Sequence, residues 1–99
     1  MHLNKEQKDV VIGIVLYVLD RLYETVNHDK QGIINLKHEL SIQDSQIAGW
    51  RAGRSMPNMS TIYRLALRAG VLHEITEAIQ EVPGLKHLPT LVPVNKETS

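Results

Sequence analysis

Most of the residues with chemical potential in this 99-residue chain do not form a reacting set. The histidines, His2, His28, His38, His73 and His87, include no His-x-x-x-His pair, so neither a metal site nor a cofactor is expected. Cysteine is absent, which excludes thiol catalysis, disulfide stapling and Cys-based zinc sites. Glu74, Glu77 and Glu81 share one side of a helical pattern and read as a solubilising face rather than an acid–base pair. No hydroxyl sits beside a base in a nucleophile pattern, and there is no Gly-rich phosphate loop. No catalytic residue is therefore assigned, and a binding protein is expected rather than an enzyme. The chemistry that remains lies in one polar run, Gln43-Asp44-Ser45-Gln46, followed by Arg51 and Arg54. Amide, hydroxyl and carboxylate groups at the start of a helix can meet base edges, and arginines nearby can meet phosphates.

The elements that must position these groups are helices. The chain has no Phe, one Trp and three Tyr, so its core must be built from Ile, Leu, Val and Ala. Apolar residues recur at spacings of three and four, with no sustained alternation of the kind a half-buried strand requires. The fold class is accordingly all-α, a compact bundle of about five helices. Residues 1–82 form a single domain, and residues 83–99 form a Pro-rich extended arm carrying Leu85, Leu88, Leu91, Val92 and Val94. Eleven basic residues balance eleven acidic ones, so charge must act locally. The longest apolar run, 10–19, is shorter than the roughly 20 residues that span a bilayer, and no signal segment is evident, so a cytoplasmic protein without membrane contact is expected.

The first helix is predicted from a cap at Asn4 to about Val26. It carries one apolar stripe of Val11, Val15, Val18, Leu22 and Val26 and a second of Ile12, Leu16, Leu19 and Tyr23. Such a helix is either central in its own core or buried partly against another chain, which makes Val11, Val15, Val18 and Leu22 a candidate dimer or partner surface. Gly13 inside it costs about 1 kcal/mol relative to Ala. Further helices are predicted over 30–40, over 45–52 with Asp44 as cap and Gly53 as stop, from a cap at Asn58 or Ser60 to Ala69, and over 72–81.

Residues 33–53 place two short helices on either side of a tight turn, the pattern of a helix-turn-helix. Leu36, Leu40, Ile42, Ile47 and Trp50 supply the apolar contacts where the two helices pack. The run from Ile42 through Ile47-Ala48-Gly49-Trp50-Arg51-Ala52-Gly53-Arg54-Ser55-Met56-Pro57, continued by Thr61-Ile62-Tyr63-Arg64-Leu65-Ala66, resembles the lambda-repressor-like, Cro-type helix-turn-helix family, also described as the xenobiotic-response-element type. The resemblance covers about 40 residues. It departs at Lys37, where the family commonly has alanine, at Ser41, where it usually has glycine, and in the long apolar first helix.

The resemblance implies a sequence-specific DNA-binding regulator, most simply a dimeric repressor of phage or mobile-element type on an inverted-repeat operator in double-stranded DNA. By position, Gln43, Asp44, Ser45, Gln46 and Gly49 would face bases, with glutamine pairing bidentately with adenine, while Lys37, Arg51, Arg54 and Asn58 would hold phosphates. Positions 37–68 hold Lys37, Arg51, Arg54, Arg64 and Arg68 against Glu39 and Asp44, a local charge of +3. An alternative stays open, a protein-interaction module such as an antirepressor or antitoxin that binds a protein partner through its apolar first helix.

Overall fold

The computed structural model describes residues 4–82, so the arm expected over 83–99 lies outside the described residues. The described chain is all-helical: α1 (Lys5–Glu24), α2 (Lys30–Leu40), α3 (Asp44–Ala52), α4 (Met59–Ala69) and α5 (Leu72–Gln80). Each start has a local cause. Asn4 Oδ1 accepts the Gln7 N–H at 2.8 Å while Gln7 Oε1 accepts the Asn4 N–H at 3.0 Å, a reciprocal cap. Asp29 accepts from the Gly32 N–H at 2.9 Å, and Asn58 accepts from the Thr61 N–H at 2.8 Å. The stops are as local: Gly53 and Gly70 take the left-handed conformation at φ 75° and 79°, which costs glycine no steric strain.

Three boundaries differ from expectation, the slightest being α5, which ends at Gln80 with Glu81 as its cap rather than at Glu81. α1 stops at Glu24 rather than Val26, because Asn27 and His28 both turn left-handed at φ 56° and reverse the chain. α3 begins at Asp44, and its cap is Gln43 rather than Asp44.

α1 is the central element, lying mainly against α4 and also against α3 and α5. Val11, Val15, Val18, Leu19 and Leu22 are all at most 2% exposed and pack with Ile62, Tyr63, Leu65 and Ala66 of α4 and Ile75 and Ile79 of α5. This corrects the assignment of Val11, Val15, Val18 and Leu22 as a dimer or partner surface. Three shorter helices wrap that side of α1, so the stripe belongs to the chain's own core. Burial also pushes the Tyr63 phenol above its ordinary range, because the phenolate would lose its hydration there. No helix among the described residues is long and apolar enough to cross a membrane.

Candidate nucleic-acid interface

The turn between α2 and α3 is made by Ser41, Ile42 and Gln43. Ser41 sits at φ 57°, ψ 45° and ends α2, its N–H reaching the carbonyls of His38 and Lys37, while the Ile42 N–H bonds to the Lys37 carbonyl at 2.9 Å. Buried Ile42 then pins the turn to the core beside Leu36, Leu40, Ile47 and Trp50, the packing set expected from the sequence. A side chain at a left-handed position costs about 1–2 kcal/mol, part of which glycine returns as entropy of the unfolded chain. Ser41→Gly is therefore expected to raise stability by roughly 0.5–1 kcal/mol in urea unfolding.

With Ile47 and Trp50 facing inward, the rest of α3 faces out. Gln43, Asp44, Ser45 and Gln46 are exposed, as expected, and so are Ala48 and Ala52, which the sequence reading passed over. Their signal was available: Ala48 and Ala52 follow Ser45 at spacings of three and four, opposite the inward pair. Small side chains along the outer line of a helix let it approach a groove closely, and a methyl group can contact the thymine methyl.

The remaining assignments change in detail. Gly49 is buried rather than available to a base, and a Cβ there would stand 2.7 Å from Ser55 Oγ. Its missing side chain lets the 53–58 loop fold back on α3, with the Arg54 N–H bonded to the Gly49 carbonyl at 2.9 Å. Gln46 Oε1 accepts the Gln43 N–H at 2.8 Å. Its amide oxygen is engaged by the helix cap, so it presents its Nε2 donor and is not poised for bidentate pairing with adenine. Asn58 Oδ1 likewise serves α4, accepting from Thr61 N–H and from Ser60 Oγ at 2.9 Å, so it meets phosphate only through its amide nitrogen.

Lys37 changes most. Its side chain is only 21% exposed at the α2–α3 crossing, and its ammonium pairs with the Asp44 carboxylate rather than extending into solvent. Asp44, 83% exposed in the first turn of α3, suits the helix dipole and neutralises the lysine that was a candidate phosphate contact. Arg68 is held in the same way by Glu39 at 2.8 Å. The local positive excess therefore resides on Arg51, Arg54 and Arg64, which are exposed and have no ion pair among the described residues. Arg51 closes α3, and Arg54 opens the loop after it.

One further group can hold a cation. Asp20, Glu24 and His28 bring ligand atoms within 4.8 Å of one another at spacings of four, a signal that a search for paired histidines misses. All three are exposed, and Glu24 is also held by Arg21 at 2.9 Å.

The fold and this surface together define an all-helical domain with a helix-turn-helix. Comparison of the chain with protein-family models, with characterised proteins and with solved structures finds no match.

Proposed function

We propose that this chain is a sequence-specific DNA-binding transcriptional regulator, a dimeric repressor acting on an inverted-repeat operator in double-stranded DNA. It is a binding protein and not an enzyme. The observation that carries the reading is the outer face of α3: Ser45, Ala48 and Ala52 form a low, polar-to-methyl line with Gln43 and Gln46 at one end and exposed Arg51 and Arg54 at the other. Ser45 and the Gln46 amide nitrogen would meet base edges while the two arginines set register on phosphates. A helix fixed from behind by Ile47 and Trp50 enters the major groove without first having to be ordered.

Asp44 sets a limit on affinity. Its carboxylate silences Lys37 and itself repels phosphate, so Asp44→Asn is expected to raise affinity for unrelated duplex DNA several-fold. The plot of log K against log salt should steepen by about one unit as Lys37 gains a phosphate, and a slope unchanged from wild type would show that Lys37 stays off the DNA.

The reading as a whole is tested by fluorescence anisotropy with DNA from the region upstream of the coding sequence, an unrelated duplex as competitor and a salt titration. Saturable binding that survives the competitor is expected. A folded protein with no preference at any salt would instead favour the protein-interaction module.

A further inference from the structure

The outer side of α1 carries an apolar stripe that the other described residues leave largely exposed. Val10 and Tyr17 are 45% and 43% exposed, Gly13 is exposed and Ile14 is half-buried. These four lie at helical spacings of three and four, and the same face ends in exposed Glu6 on one side and, on the other, in Arg21, which already pairs with Glu24 of its own helix at 2.9 Å and would share its guanidinium with a second carboxylate. Gly13 is the telling member. Glycine weakens a helix interior, yet no atom of the domain's neighbouring elements lies within 4 Å of where its Cβ would stand. Nothing in the packing of the described residues uses the missing side chain.

We infer that this stripe is the contact with a second copy of the chain, α1 lying antiparallel on α1. A two-fold axis between Gly13 and Ile14 sets Gly13 opposite the partner's Ile14, Val10 opposite the partner's Tyr17, and Glu6 opposite the partner's Arg21. The branched side chain of isoleucine fills the space that glycine leaves open, each tyrosine ring covers a valine, and opposite charges close both ends. A parallel pairing would oppose Glu6 to Glu6 and Arg21 to Arg21, so charge selects the antiparallel one. The contact leaves the DNA-reading surface clear. Ile12, on another side of α1, is the residue that approaches the end of α3 at Gly53, whereas Val10 and Ile14 border Ala78 of α5 and Val82 just beyond its end. The inference deepens the dimeric part of the proposed reading by locating the contact, and its test contains no DNA, so a failure of this interface and a failure of DNA binding are read separately.

The absence of native cysteine allows a direct test on the full chain. Seven residues along one helix separate Cα atoms by about 10.5 Å. That exceeds the roughly 7 Å limit for a disulfide, so Val10→Cys/Tyr17→Cys can link only between chains. The wild-type chain is expected to sediment at twice its 11.2 kDa mass, and the oxidised double variant to run as a covalent dimer that neither single variant forms efficiently. Gly13→Arg, whose side chain enters open space, should keep its helicity and thermal midpoint by circular dichroism while sedimenting as a monomer. A wild-type mass of one chain would overturn the inference. So would a dimer whose double-cysteine variant stays unlinked, or one that persists in folded Gly13→Arg, since either places the contact elsewhere.

Discussion

Replacing Arg51 and Arg54 together by alanine is expected to lower operator affinity about 10- to 100-fold near physiological salt, because each removes a charge-assisted contact to phosphate. The loss should be nearly uniform across operator and unrelated sequences, since phosphate contacts fix register without reading bases. The slope of log K against log salt should become shallower by about two units per bound chain, as two fewer counterions are released. Both side chains are exposed and free of ion pairs among the described residues, so the unfolding midpoint should barely move. Affinity and salt slope both at wild-type values would remove these arginines from the interface. Ser45→Ala serves as the contrasting variant: it should narrow the ratio of specific to non-specific binding while leaving the salt slope unchanged.

The second large effect concerns the core of α1. Leu22, 1% exposed, belongs to the single hydrophobic core, and Leu22→Ala is expected to cost about 2–5 kcal/mol, the lost burial plus the cavity left behind. Domains of this size are typically stable by only about 5–15 kcal/mol, so much of the folded margin goes with one side chain. Urea unfolding should show the drop as a lower midpoint at unchanged slope. The same variant discriminates between the two roles considered for that stripe. An interface residue would change the mass of the particle and leave unfolding of the single chain nearly intact. The core position of Leu22 predicts the reverse, and a charge at Val15, 2% exposed, should prevent folding altogether. DNA binding should fall in parallel, because α3 is held in place through Ile47 and Trp50 against the same core.

The two effects have different origins. Arg51 and Arg54 act through charges that solvent already surrounds, so their removal alters binding and spares the fold. Leu22 touches no surface, so its removal alters the fold and reaches DNA only through the loss of the frame. A chain in which α1, α4 and α5 support one short helix-turn-helix leaves little redundancy between these layers.

Much of this arrangement was legible in the chain because it depends on neighbours in sequence. Asn4, Asp29 and Asn58 cap their helices through side chains that reach backbone amides three residues on, and Gly53 and Gly70 stop theirs by their own conformation. The inward turn of Ile47 and Trp50 follows from their spacing of three, which left the polar start of α3 facing out. Even the cap on α3 is a local matter, though two glutamines carry it where the short-chained Asp44 was the stronger candidate.

What the tertiary structure alone decided involves residues whose own periodicity leaves more than one answer. α1 is apolar over most of its circumference, so its pattern cannot say which side is inside; α4 and α5, some forty to sixty residues later, settle it by covering Val11, Val15, Val18 and Leu22 and leaving Val10, Gly13 and Tyr17 bare. Lys37 was legible as a lysine at a crowded crossing, but its pairing with Asp44 required the turn at Ser41 to bring the start of α3 back over α2. Gly49 was legible as part of a glycine-containing motif, but only the folding back of the following loop showed that Ser55 occupies the space beside it. Capping and helical spacing are set within a turn or two of chain, whereas the choice between two apolar faces is a difference in burial that exists only once distant helices have packed.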